Sequence, residues 1–451
     1  MSPGVKRPLV VLLASHWVSM LGVALATTAG LSWLFVLPQQ LGGRASNPYV
    51  GILAFLAIPA VLFLGLILIP IGIALARHHV VGTLSAVPDR RAAWRRIGLF
   101  VGLITFANIL IGSQATYRAV SYMETDQFCG QSCHVMKPEF TAWGHAPHSH
   151  VQCVECHIAP GAEGWFTSKM NGSKQLIAVV TDSYPKPLEG AIESNKLVSA
   201  TLTCEKCHNR DREIGDVMRV KTSFKDDEKN SRIQTVLMMQ VGGKAKGIHG
   251  AHMGPGVEIR YAAADAKRDK IPWVEYKGAD GSTRTYVDTS AKVSNMDALP
   301  RHTMECTDCH NRPAHSFELA ADAVDEALAS GALPVSMPFL KKNAVDILTR
   351  SQSDAEIPTR LAQAYGGKQN DAVAKVLTAI YDENVFPDLK VTWGTYPNNM
   401  GHTDAPGCFR CHDGGHVTAD KKEITQDCGA CHRTIAVDEA SPEVLKTLGL
   451  N

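Results

Sequence analysis

The twelve cysteines of this chain fall into six close pairs, and each pair is followed at once by a histidine. Five pairs read Cys-x-x-Cys-His: Cys153/Cys156/His157, Cys204/Cys207/His208, Cys306/Cys309/His310, Cys408/Cys411/His412 and Cys428/Cys431/His432. The first in the chain, Cys129-Gly-Gln-Ser-Cys133-His134, has one more residue between its thiols. An even cysteine count in an exported chain first suggests disulfides, but close pairs with a constant histidine are not spaced as a disulfide framework. A zinc reading requires pairs to combine into four-ligand sites, and it leaves the histidines unexplained. Two thiols at this spacing can instead add to the two vinyl groups of one porphyrin. The next residue then carries an imidazole under the ring to the iron, which is the c-type haem attachment signature. Six covalent haems are expected, with no cysteine left over.

Six-coordinate iron needs a second axial ligand from elsewhere. Outside the apolar N-terminal part and the motifs, nine histidines remain: His145, His148, His150, His249, His252, His302, His315, His402 and His416. Met136 is a tenth candidate. The expected distal set is His148, His252, His302, His315, His402 and His416. His249 and His252 are read as one ligand and one secondary group, and His145 and His150 as surplus around His148. So many rings in so little protein imply a core made of packed haems as much as of side chains. Motifs one and two, and motifs five and six, are close enough in sequence to be neighbours in space.

Nearly all long apolar runs precede residue 118. Val10 to Val36, Gly51 to Ala76 and Ile97 to Ser113 each approach the roughly 20 residues that cross a bilayer. Pro70 lies in the second run, where neighbouring helices can satisfy the freed carbonyl. Lys6 and Arg7 precede the first run, and Arg77, Arg90, Arg91, Arg95 and Arg96 separate the second from the third. Only Arg44 separates the first from the second, so the N-terminus should face the cytoplasm and everything after about Tyr117 should lie outside it. A cleaved leader ending near Ala26 is disfavoured, because Leu31 to Leu37 prolongs the apolar run. His16 and His78/His79 lie near one membrane face; two of them could hold a b-type haem, but helix-end contacts are the simpler reading. The net charge of +1 provides no field for nucleic acid.

The expected fold is mainly α with much irregular structure: a three-helix transmembrane anchor over residues 1–117, then haem domains over 118–210 (motifs one to three) and 211–451 (motifs four to six). Short β-like runs from Val257 to Thr289, with a turn at Gly278-Ala279-Asp280-Gly281, predict a small β-hairpin insertion. Phe317 to Ala329 and Leu340 to Tyr381 have helical spacing, with Gly331 and Pro358 as stops. Motifs starting at Cys204, Cys306 and Cys408 are evenly spaced, and the first two open Cys-x-x-Cys-His-Asn-Arg, a faint sign of duplication.

The stretch Phe128 to Glu139 resembles the first haem site of the NapC/NirT family. So do Pro147-His148, Cys153-Val154-Glu155-Cys156-His157-Ile158-Ala159-Pro160-Gly161-Ala162 and Lys169 to Gln175. The strings Cys306 to His315 and Gly407 to His416 resemble larger inner-membrane multihaem relatives of the ImcH type. The family's members are membrane-anchored quinol dehydrogenases that pass electrons to periplasmic reductases or cytochromes. They often have one anchoring helix and four or five haems, against three and six here, and a shorter first motif. The resemblance implies that Met136 ligates the first haem and that Lys169 or Lys174 lines a quinol pocket. The family's pocket carboxylate falls near Gln175, which cannot act as a base, so Asp126 and Glu139 are substitutes.

The expected function is therefore quinol oxidation with electron delivery to a periplasmic acceptor, from a bacterial inner membrane. Motif one begins about eleven residues beyond the third apolar run, so its haem should sit at the bilayer surface. The quinol site is expected between the third helix and the segment Trp165 to Ile177. The alternatives are a passive relay among other membrane complex subunits, and a terminal reductase. The last needs an open iron position and shows no Cys-x-x-Cys-Lys motif here.

Overall fold

The computed structural model describes residues 16–41, 58–82 and 90–450, apart from positions 133, 195, 211, 294 and 369. The chain divides into two compact units, Met1–His134 and Val135–Asn451. Motif one thus closes the first unit, and the other five motifs lie in the second.

Among the described residues the first unit contains three long helices: α1 (Trp17–Leu41), α2 (Ile58–Gly82) and α3 (Arg90–Met123). Small residues let α1 and α2 pack closely. A Cβ on Gly22 would fall 2.7 Å from the carbonyl of Gly65, and one on Gly72 would fall 2.2 Å from the amide of Ser19. Only glycine permits that approach, as between helices in lipid. Phe63, Leu66 and Ile67 on α2, and Leu99, Leu103 and Phe106 on α3, remain exposed. A continuous apolar surface of this kind needs a non-aqueous neighbour.

Ile58–Ala76, with mean hydropathy 2.7, and Gly98–Met123, with 1.6, are long and apolar enough to cross a bilayer. The described apolar stretch Trp17–Ser32 is shorter. Among the described residues two spans therefore qualify, where three were expected. Residues 10–15 and 51–57 of the expected runs, with Lys6, Arg7 and Arg44, lie outside the described residues. His16 accepts a hydrogen bond at Nδ1 from the Val18 amide, 3.2 Å away, in keeping with a helix-end role.

The second unit holds eight strands: β1 (Gly215–Phe224), β2 (Arg232–Gly242), β3 (Glu258–Ala262), β4 (Trp273–Lys277), β5 (Thr283–Asp288), β6 (Arg301–Thr303), β7 (His416–Val417) and β8 (His432–Glu439). They form a three-stranded sheet in the order β1-β2-β8 and a five-stranded sheet in the order β6-β3-β4-β5-β7. The expected hairpin is β4–β5, registered from Trp273 opposite Val287 to Lys277 opposite Thr283. It is not an isolated insertion but the middle of the larger sheet. The β1–β2 hairpin was not expected. Arg219 and Lys221 share a face of β1 with Val217, so the period-two signal is weak.

Four further helices make a lobe: Ala320–Ala329, Leu340–Arg350, Ile357–Ala364 and Asp371–Asn384. Val324, Leu333, Leu340, Leu348, Ile357 and Leu377 form its inaccessible centre. Gly331, at φ 78°, ends the first of these helices as expected. Pro358 does the opposite of what was expected, because it opens a helix. In the first turn its missing N–H is no loss. A buried ion pair, Lys341 Nζ to Asp325 Oδ1 at 2.6 Å, fastens the first two helices of the lobe. Asp325 also accepts the Phe224 amide at 3.0 Å, which ties the lobe to β1.

Candidate functional site

Each motif of the second unit is folded as one helical turn. Cys153–His157 and Cys306–Cys309 are α-turns, while Cys204–Lys206, Gly407–Arg410 and Cys428–Ala430 are 3-10 turns. The amides of His208, His310 and His412 donate to the carbonyls of Cys204, Cys306 and Cys408 at 2.8, 2.8 and 3.1 Å. Residues three and four apart share one side of such a turn. Both thiols and the following imidazole are therefore presented together, as attachment to a single ring requires.

At motif three the helical turn ends at Lys206, and the Cys207 amide closes back on the Cys204 carbonyl at 3.1 Å, so the spacing within the motif is kept.

The chain then brings a second imidazole to each of these five turns. Ring centres are 6.1 Å apart for His157 and His315, and 6.0 Å for His208 and His148. They are 6.3 Å apart for His310 and His249, 5.8 Å for His412 and His252, and 6.3 Å for His432 and His402. Two metal–imidazole bonds of about 2 Å, plus the distance from each nitrogen to its ring centre, add up to roughly 6 Å. The five pairs therefore fit an iron held between two imidazoles.

The surroundings of the pairs suit that use. His148 Nδ1 donates to the Pro313 carbonyl at 3.0 Å, and His315 Nδ1 to the Glu139 carbonyl at 2.9 Å. His252 and His412 donate in the same way to Ile248 and Thr425, each at 2.7 Å. Such bonds fix the tautomer and leave the Nε2 lone pair free for a metal. Burial pushes the pKa of His157, His252 and His310 down, and that of His315 down to about 4. These rings are accordingly neutral, the ligating form, at neutral pH. Arg301 Nη1 and Arg312 Nε, on either side of motif four, are buried without a protein partner. They are suitable donors for haem propionates.

The expected distal set needs correcting at three positions. His416 is 1% exposed, and its nitrogens meet the Ile271 carbonyl at 2.6 Å and the Asp413 carboxylate at 2.8 Å. Both ring nitrogens are thus taken up by protein oxygens, and neither is turned to a motif histidine. His302 lies on β6 with its ring 5.3 Å from that of Tyr261, and it faces no motif histidine. His249 is not secondary to His252. Both lie on the helix Gly247–Met253 and each faces a different motif.

In the first unit Cys129 lies in the turn Asp126–Gln131, capped by Thr125 and opened by Asp126, while Cys133 is outside the described residues. His134 and Met136 share a single 3-10 turn. Lys169, Lys174 and Gln175 lie on the helix Gly161–Val180, which buries none of its residues. Lys169 Nζ sits 5.5 Å over the ring of Trp165. Trp165, Phe166, Lys169, Leu176, Ile177 and Val180 fall within one arc of about 120° on this helix, and its large apolar members are exposed. Glu139 is the site residue whose environment sequence reasoning did not foresee. Its carboxyl is pushed above the usual range, mainly by burial, and its Oε2 has no hydrogen-bond partner.

Comparison with known proteins adds three findings. The NapC/NirT cytochrome c family, N-terminal region, matches residues 92–235, which include motifs one to three. The chain is 37% identical over 450 residues to the cytochrome c-type protein ImcH of Geobacter sulfurreducens, covering 93% of this chain and 87% of that protein. It is 26% identical over 115 residues to the cytochrome c-type protein NrfH of Wolinella succinogenes, covering 25% of this chain and 58% of that one. No solved structure matches.

Proposed function

Because the chain belongs to the NapC/NirT family of membrane-associated multihaem c-type cytochromes, we propose that it carries six haems, oxidises quinol and passes the electrons to a periplasmic acceptor. The observation that carries the electron-transfer role is the set of five imidazole pairs. At these five sites both axial positions would be filled, leaving no open position for a substrate, which disfavours a reductase at motifs two to six. The haems, when attached, supply one-electron redox chemistry. The cysteine pairs would tether them. The axial pairs would be His157 with His315, His208 with His148, His310 with His249, His412 with His252, and His432 with His402. At motif one, His134 and Met136 are alternatives for one face of the ring. A single turn cannot reach round a porphyrin to place both on opposite faces.

Quinol also gives up two protons, so the protein must supply an acceptor. Gln175 cannot serve. Asp126 is one candidate. Glu139 is better matched to neutral pH, because burial raises its pKa. The helix Gly161–Val180 offers the quinol an apolar arc with Lys169 within it and Lys174 about 60° beyond its edge. An ammonium there can orient a quinol oxygen and stabilise the anion left on deprotonation. The exposed apolar side chains of this helix suit a membrane surface. The haem-bearing side is placed outside the cytoplasm, where haem attachment occurs.

The test is anaerobic mixing with a reduced quinol while the haem absorption band is followed. Replacing Lys169 and Lys174 together by Met should slow quinol-driven reduction by about a hundred-fold, with haem content and dithionite reduction unchanged. Gln175, standing where a carboxylate is expected, favours a second reading as a passive relay. An unchanged rate in the double variant, or no reduction of the wild type by quinol, would select that reading.

A further inference from the structure

The contacts between motifs carry one more step. Motifs two and three are joined by an ion pair between residues inside them, Lys206 Nζ to Glu155 Oε2 at 3.5 Å. Motif four begins after Glu305, whose carboxylate accepts Ser199 Oγ at 2.5 Å and the Ala200 amide at 3.0 Å, in the turn leading into motif three. Arg410, inside motif five, donates through Nη2 to the carbonyl of Asp308, inside motif four, at 2.6 Å. The same two motifs share the helix Gly247–Met253, which presents His249 to one and His252 to the other. Motif five meets motif six through His402. Its ring lies 4.3 Å from Phe409 of motif five, nearly parallel at 13°, and 6.3 Å from His432 of motif six.

We propose that motif six is the terminal site of the row, reached through motif five, and the site from which electrons leave it. This rests on the reading of the motifs as haem sites, but not on quinol as the donor. Motifs four, five and six are joined in that order, while motif four borders both motif three, through Glu305, and motif two, through the pairing of His315 with His157. Rings tethered at these turns are therefore neighbours. An end site has one neighbour and a middle site has two or more. Adding an electron to one haem makes reduction of an adjacent one harder, because like charges repel across a low-dielectric interior.

The count of neighbours is measurable in the full-length, haem-loaded protein in detergent, by a dithionite titration resolved by electron paramagnetic resonance. A methionine ligand raises a haem's potential. His402→Met, at motif six, should move its own midpoint and that of one other haem. His249→Met, at motif four, should move its own and those of two or more others. Shifts at two or more other haems in His402→Met, or at only one in His249→Met, would overturn the order. Should His402→Met load poorly, the double change Cys428→Ala and Cys431→Ala deletes site six and gives the same count, one other midpoint altered. Intact mass of the wild type separates the two kinds of failure. Missing haems sink the motif reading, whereas a wrong neighbour count at full haem content sinks the order alone.

Discussion

Residues 137–208 and residues 320–385 are of similar length and lie in the same unit, yet they are held together differently. The later stretch is a four-helix lobe with a centre of Val324, Leu333, Leu340, Leu348, Ile357 and Leu377. The earlier stretch buries only small residues, Pro138, Ala142, Ala146 and Ala200. Its longest helix, Gly161–Val180, buries nothing. A helix without a buried face has little of the tertiary packing that stabilises most helices. On the proposed function the first region would be completed by porphyrin and lipid, whereas the second is completed by its own side chains. The chain would then contain a scaffold that depends on its cofactor beside one that does not.

The largest test of this contrast is removal of the haem. Expressed where haem is not attached, the chain should lose protection from hydrogen exchange throughout residues 137–208 and keep it in the lobe. Equal loss in both would mean that the lobe also leans on the haems. The converse is Leu348→Ala. Leu348 is fully buried, so the change should cost about 2–5 kcal/mol, seen as earlier unfolding of the lobe. Haem content and midpoints should stay as in the wild type. A loss of haem would show that the two regions are not separable.

Single histidines sharpen the comparison within the haem region itself. His315→Ala removes the partner of His157 and should turn one haem from low-spin to high-spin. His416→Ala should leave every spin state alone and cost about 1–3 kcal/mol, because it strips buried partners from Ile271 and Asp413.

What could be read from the sequence divides along the same line. The attachment turns were legible because their chemistry is local: thiol, thiol and imidazole within five residues. Of the imidazoles that face a motif histidine, His148, His252, His315 and His402 were picked out by supply and demand alone. His302 and His416 lie in the sheet instead, one beside Tyr261 and the other bonded through both ring nitrogens to Ile271 and Asp413, and sequence does not show which side chains a sheet will take up. Asp413, three residues before His416, is the signal that could have warned of it. The lobe's first helix was legible from its apolar period and from Gly331. Its later breaks fall at Ser351 and at Gly366-Gly367, not at Pro358 where the expected stop was put. The three-stranded sheet was missed, because its outer strands carry charge and its β2–β8 pairing spans just over two hundred residues, from Gln234 to Glu439.

The smallest expected effect is at the helix Gly161–Val180, and it is the one that separates lipid from protein as that helix's missing partner. Ile177 is 63% exposed, and Leu176 beside it is 59% exposed. If protein covered this face, Ile177→Ser would resemble a core change and lower the stability of the second unit by more than about 1 kcal/mol. If lipid covers it, the change is a surface substitution to the fold and should stay within about 0.5 kcal/mol. The membrane contact should nevertheless weaken, since an isoleucine side chain withdrawn from an apolar phase forfeits about 2 kcal/mol of transfer. Hydrogen exchange in lipid nanodiscs reads both at once. The expected result for Ile177→Ser is faster exchange confined to residues 161–180, with the lobe unchanged. Wild-type exchange rates throughout that helix would mean that its apolar arc does not rest on the membrane.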